Sequence, residues 1–194
     1  MFGLYFGLGR EHILDLQGYD HILFVVALCA VYLLREWKQI LTLVTAFTVG
    51  HSVTLALATL NLVTVNSAWV EFLIPLTIFT TAVFNIFRVE KSGGSSTRGL
   101  QLNYVFALFF GLIHGLGFSN FLKSLLGQEQ SLFTPLLAFN LGLELGQLLI
   151  VVVFLLVSFV AVDVLGANRR DWKLVISSGI AGIALVLMQQ RIPF

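Results

Sequence analysis

Asp20 and His21 open one long apolar run, and His114 lies inside another, within Gly111-Leu112-Ile113-His114-Gly115. The chain has four histidines, His12, His21, His51 and His114, and all of them lie in or beside segments apolar enough for a bilayer. An ionisable side chain at mid-bilayer costs at least ~2.5–3.5 kcal/mol on insertion scales, so such residues are rare there and usually mark function. Neutral imidazole suits nickel, zinc, copper and iron, and a carboxylate balances the charge of the ion. Asp20 can ligate directly or orient the His21 ring from behind. Glu144, in a later apolar run, can ligate or carry protons that an arriving cation displaces. Together these residues point to the handling of a cation or a proton.

Each residue also has a plainer reading. His12 and Asp20, near water, suit a surface position and a helix cap. Glu71, where another apolar run begins, suits the positive end of a helix dipole. His51, His114 and Glu144 lie deeper, where the plain alternative is a structural hydrogen bond. Cys29 is the only cysteine and sits in an apolar run, which excludes a disulfide framework and a thiolate metal site. It reads as a small buried apolar residue.

The elements that must position these groups are transmembrane helices. The 194 residues are 58% hydrophobic and 11% charged, with a mean hydropathy of +0.94. Soluble domains carry roughly 25% charged residues, so a soluble fold is excluded. A net charge of +1 without a basic run gives no footprint for nucleic acid. The start lacks a basic stretch followed by an apolar core and a small-residue cleavage site, so no cleavable signal is expected.

About 20 apolar residues cross a bilayer core. Six segments qualify: Tyr19–Leu34, Ile40–Val63, Val70–Phe87, Leu100–Leu122, Leu132–Leu165 and Leu174–Met188. The expected fold is therefore all-α: residues 19–194 form a polytopic domain of about six transmembrane helices, and residues 1–18 an interfacial or re-entrant segment. Ser92-Gly93-Gly94-Ser95-Ser96-Thr97 reads as a flexible loop. Loops after the first, third and fifth spans carry Arg35, Lys38, Arg88, Lys91, Arg98, Arg169, Arg170 and Lys173, whereas the other side has Arg10, Lys123 and Arg191. The positive-inside rule makes the first side cytoplasmic and puts both termini outside. Trp37, Trp69 and Trp172 fall at span ends, where interfacial anchors belong.

In this frame His51 lies about 17 Å, and His114 about 21 Å, from the cytoplasmic ends of their spans at the helical rise. Asn140 and Glu144 fall roughly 12 and 18 Å below the outer end of the fifth span by the same rise. The groups can thus converge in the outer half of the membrane. Helical spacing puts Thr48, His51 and Ser52 on one side, Asn140, Glu144 and Gln147 on another stripe, and Thr77, Thr81 and Asn85 on a third. Gly111 with Gly115, and Gly142 with Gly146, would let the fourth and fifth spans approach closely. Ala46-Phe47-Thr48-Val49-Gly50-His51 echoes Ala138-Phe139-Asn140-Leu141-Gly142, and His21-Ile22-Leu23-Phe24 loosely echoes His114-Gly115-Leu116-Gly117-Phe118. Two inverted three-helix halves, or chance likeness among apolar helices, accounts for both.

The chain resembles the HupE/UreJ family of bacterial membrane proteins. The resemblance rests on His12 with Asp20-His21-Ile22-Leu23-Phe24, on Thr45-Ala46-Phe47-Thr48-Val49-Gly50-His51-Ser52, on Gly111-Leu112-Ile113-His114-Gly115-Leu116-Gly117-Phe118, and on Phe139-Asn140-Leu141-Gly142-Leu143-Glu144-Leu145-Gly146-Gln147. It is most like the second branch of that family. Membership implies a nickel permease accessory to hydrogenase or urease, in a bacterial inner membrane, with metalloenzyme maturation proteins as partners. It implies metal ligands at Asp20, His21, His51 and His114. The family usually leaves five residues between its first histidine and the Asp-His pair, and here seven separate His12 from Asp20, so His12 stands out of register.

The leading expectation is a permease or binding protein for a divalent transition metal, nickel or zinc. Its metal set is His12, Asp20, His21, His51, His114 and Glu144, with Asn140, Gln147 and Ser52 as polar lining. The alternative is a zinc-dependent intramembrane hydrolase with Glu144 or Asp20 as general base. A third reading is a b-type haem protein ligated by His51 and His114.

Overall fold

Long apolar stretches without charge give helices, because only a helix satisfies every backbone group within its own segment in lipid. The computed structural model of the chain describes residues 1–88, 97–119, 122, 124 and 132–193. Ser92–Ser96 of the expected loop, and Lys91 and Lys123 of the charge asymmetry, lie outside the described residues. The helices are α1 (Phe2–Leu14), α2 (Asp20–Cys29), α3 (Trp37–Thr59), α4 (Ser67–Phe87), α5 (Thr97–Gly117), α6 (Phe133–Phe159) and α7 (Arg169–Gln190). A π-helical turn, Val160–Val164, extends α6. Asn66 and Asn168 cap α4 and α7, their side chains accepting from the amides of Ala68 and Arg170 at 2.9 and 2.8 Å.

Among the described residues, four helical stretches are long and apolar enough to cross a membrane: Leu34–Thr59, Ser67–Phe87, Phe133–Val164 and Arg169–Gln190. That is fewer than the six expected. The first expected span is only α2, ten residues long, and the described apolar part of the fourth is Asn103–Gly117. Hydropathy runs unbroken through Val31-Tyr32-Leu33-Leu34, but the helix stops before them. The N-terminal segment is itself helical and packs along α6. Leu14, Ile22 and Val26 face Leu149, Val153 and Val157 in one groove, so α1 and α2 follow the same side of α6 in succession.

Glycines set the closest helix pairs. A Cβ on Gly50 would strike the Leu108 carbonyl, and one on Gly111 would strike the Phe47 carbonyl, so α3 and α5 touch backbone to backbone. Likewise Gly9 sits on the Phe139 carbonyl and Gly142 on that of Phe6, which seats α1 on α6. The expectation that Gly111, Gly115, Gly142 and Gly146 join the fourth span to the fifth is thus corrected. A glycine seam needs a small residue opposite it, and Gly50 and Gly9 supply those on α3 and α1.

Polar contacts sort the helix ends. Arg169 donates to Glu36 at 2.8 Å and to the Val31 carbonyl at 3.0 Å, and Lys173 donates to the Arg88 carbonyl at 2.6 Å. Arg191 meets Asp20 at the opposite end. Arg88, Arg169 and Lys173, which follow the third and fifth expected spans, therefore share one end with Glu36. Trp37 and Trp69 are exposed at helix ends, whereas the Trp172 indole turns inward to donate to Ser158 at 3.1 Å. Outward-facing Val152, Leu156, Val175 and Val186 are apolar, while His51, His114, Gln147, Ser158 and Ser177 are buried. Apolar outside and polar inside is the pattern lipid selects. Cys29 is buried and free.

Candidate metal centre

The glycine seams bring imidazoles together. His51 follows Gly50 directly, His114 lies one turn beyond Gly111, and His12 lies one turn beyond Gly9. His21 occupies the first turn of α2. One ring nitrogen each of His12, His21 and His51 lies within 4.8 Å of the others. Ring centroids are 4.5 Å apart for His12–His21, 6.3 Å for His12–His51 and 6.4 Å for His21–His51. His114 joins through His21, at 5.4 Å. Nitrogens sharing an ion at ~2.0–2.1 Å sit about 3.4 Å apart in a tetrahedron, a spacing somewhat tighter than the one seen here.

Several ring nitrogens of the cluster find no hydrogen-bond partner among the protein groups described. His12 Nε2, His21 Nε2, both ring nitrogens of His51 and His114 Nδ1 are buried without a partner. Buried polar atoms in native proteins are nearly always paired, and an ion that takes one lone pair from each ring would satisfy all of these but the remaining N–H of His51. His114 Nε2 and Thr77 Oγ1 are 3.0 Å apart. Thr77 bonds to the Ile74 carbonyl at 2.7 Å through its one hydroxyl proton, which fixes that oxygen as acceptor toward the ring. That arrangement leaves Nδ1 of His114 as the lone pair available to an ion.

Phenylalanines wall the cluster. Phe118 lies 3.9 Å from His12 and Phe139 5.9 Å from it, ring centre to ring centre, and Phe24 and Phe47 flank His114 at 4.9 and 5.1 Å. One side stays open to a cavity of about 280 Å³ lined by His12, Asp20, His21, His114, Glu71 and Arg191. Asp20 Oδ1 lies 3.5 Å from His21 Nδ1, and its Oδ2 accepts from Arg191 at 2.8 Å.

Of the remaining expected site residues, Glu144, Gln147 and Ser52 make their contacts outside the cluster. Glu144 accepts from Thr45 at 3.0 Å and Gln147 Oε1 from Thr48 at 2.7 Å, so both tie α6 to α3. Ser52 donates to the Thr48 carbonyl of its own helix. Asn140 donates to the Leu136 carbonyl and keeps Oδ1 buried without a partner. Thr77 and Arg191 were not legible as site residues. The stripe Thr77, Thr81, Asn85 signals the first, and a basic residue on the side poor in them signals the second.

Fold and site together define a helical, multi-pass membrane protein with a buried histidine cluster opening at one end of the bundle. The chain belongs to the HupE/UreJ family: the family described as "HupE / UreJ protein" matches residues 1–191, essentially the whole chain. Neither a curated protein nor a solved structure matches it.

Proposed function

We propose that this protein takes a divalent transition metal ion from the basic-poor side of a bacterial inner membrane and passes it inward, nickel being the first candidate. The carrying observation is the set of buried, unpartnered ring nitrogens on His12, His21, His51 and His114 beside an open cavity. Neutral imidazoles with a nearby carboxylate suit nickel or zinc and do not suit magnesium or calcium. Asp20 captures the ion at the mouth, His12, His21 and His51 hold it, and His114 receives it. Here His12 is a ligand although its spacing departs from the family's usual pattern. Asn140 offers its free oxygen beside them. Glu144, Gln147 and Ser52 act one layer back, with Glu144 balancing charge or carrying protons. Metalloenzyme maturation proteins are the partners this reading implies.

In this reading α1 and α2 in succession form one crossing and α5 another, which completes six, with both termini periplasmic. In the hydrolase reading Asp20 is the base beside the cluster, because Glu144 lies against Thr45 on α3. Proteoliposomes loaded with a metal-sensitive dye separate the two. Dye response to external nickel or zinc, driven by a metal or proton gradient, supports the permease. Protein that holds a transition metal but moves none under either gradient is the hydrolase instead.

A further inference from the structure

At the mouth of the cavity Arg191, the residue that closes α7, places a guanidinium nitrogen 2.8 Å from Asp20 Oδ2. The Asp20 side chain is 9% exposed and that of Arg191 27%. The other carboxylate oxygen is engaged by His21, accepting from its amide at 3.2 Å and lying 3.5 Å from Nδ1. A buried carboxylate needs a counterion, and removing one partner leaves an uncompensated charge. Arg191 fills that role in the structure. Asp20, however, is also the carboxylate best placed to meet a cation entering toward His21. One oxygen cannot serve a guanidinium and a metal ion in the same place. Asp15 and Glu71 line the same cavity. They are two further carboxylates to which a released guanidinium can turn.

We propose that Arg191 is a tethered stand-in for the transported ion: it neutralises Asp20 while the site is empty, and an arriving divalent cation displaces it. The inference rests on the metal-binding reading above. Arg191 then sets the threshold for capture, since an ion must outcompete a positive charge already in place. It also closes the mouth by tying the end of α7 to the start of α2. Release of the ion inward restores the pair and resets the mouth.

The sign of one measurement separates this from a merely supporting role. Nickel affinity is measured on the purified full chain in detergent by competition with a chromophoric chelator, for the parent and Arg191→Gln. A displaced competitor predicts that Arg191→Gln binds nickel roughly 5–30-fold more tightly, the span of one or two units of kcal/mol. Unchanged or weaker binding in folded Arg191→Gln overturns the proposal, because an arginine that only orients Asp20 would lose affinity when removed. A second measurement needs no variant. Modification of Arg191 in the parent by an arginine-specific dicarbonyl reagent, followed by peptide mass spectrometry, should speed up when nickel is added. Protection or no change overturns displacement even where the variant fails to fold. A parent that binds no nickel or zinc sinks the metal-binding reading itself, a result distinct from either of these.

Discussion

His12 on α1 and His114 on α5 stand at matching places, each three residues beyond a glycine that makes the same contact. Gly9 meets the Phe139 carbonyl and the Leu143 amide, and Gly111 meets the Phe47 carbonyl and the His51 amide. The reciprocal glycines match too: Gly142 meets Phe6 and Arg10, and Gly50 meets Leu108 and Leu112. One turn further on, Gly146 meets Ile13 and Arg10 and Gly115 meets His51 and Thr54, so in both pairs the contacts advance together along the two helices and each pair is parallel. The pair α1–α6 therefore corresponds to α5–α3, with Phe139 in the place of Phe47. Since α3 runs away from the end that holds Glu36 and Arg169, and α6 runs toward it, the two pairs are inverted. A site at the interface of inverted repeats is a common transporter arrangement.

This correspondence predicts paired sensitivity. Gly50→Ala and Gly142→Ala each push a methyl into a carbonyl oxygen of the facing helix. Each should lose about 1–3 kcal/mol, the usual cost of overpacking. Gly179→Ala and Gly182→Ala meet nothing within 4 Å. These should be neutral or up to ~1 kcal/mol more stable, as alanine favours a helix interior. Thermal unfolding in detergent checks the contrast, and equal behaviour of the two groups would remove the glycine seams as the basis of packing.

The histidines should act as a unit. His21→Ala or His51→Ala should weaken nickel or zinc binding by more than the roughly 10–100-fold typical of outer-layer partners, and the double variant should add little. Titration calorimetry on folded variants measures both. Ligation needs neutral imidazole, so protons compete with the ion and affinity should fall as the solution is made acidic. Parent-like binding by folded His51→Ala would remove it from the site.

How much of this was legible in sequence depends on the range of each interaction. Thr48, His51 and Ser52 share a side because spacing along one helix is local. The likeness of Phe47-Thr48-Val49-Gly50 to Phe139-Asn140-Leu141-Gly142 also holds in space, since both segments carry the glycine of a seam. Its companion does not: the structure matches His114 with His12 rather than with His21, because the glycine register decides equivalence and α2 has no such glycine. Small-residue spacing declares that a close approach exists but does not name the partner helix, so sequence suggests α5 against α6, whereas the fold packs α5 on α3. The bond between Glu144 and Thr45 spans 99 residues and leaves no local trace. Arg191 reads in sequence as one basic residue among the few on its side, and only the fold sets it against Asp20.

Thr77 should tune the site without touching the ion. Thr77→Val keeps the shape but removes the oxygen that accepts from His114 Nε2. Partners that orient a ligating imidazole are worth about 10–100-fold in affinity. Thr77→Ser should restore most of the loss. A drop that serine does not rescue would point to packing in α4 rather than to orientation of the ring.

Orientation follows from charge. A reporter fused in the segment before Asn168 should behave as cytoplasmic, and reporters between Asn61 and Asn66 or at the C-terminus as periplasmic. Arg169 and Lys173 gather at the first end through Glu36 and the Arg88 carbonyl. A cytoplasmic C-terminus would put the cavity on the wrong side for uptake from outside.

Glu144 separates holding an ion from moving it. Its carboxylate faces Thr45 on α3 and is absent from the group of His12, His21 and His51 that can close on a cation. Glu144→Gln retains an oxygen that can accept from Thr45, so the contact between α6 and α3 survives. Nickel binding should therefore stay within about threefold of the parent, well below the 10–100-fold effect of ligand partners. Transport is a different matter. A cation crossing the bilayer core needs its charge balanced or exchanged for protons, and Glu144 is an acid at a half-buried contact between two spanning helices. Dye-loaded proteoliposomes should show nickel entry slowed by ~10-fold or more, since general proton-transfer groups contribute at least 10²-fold where they act directly and less where they act through neighbours. Binding and transport lost together would make Glu144 a ligand. Both retained would leave it as a tie between α3 and α6.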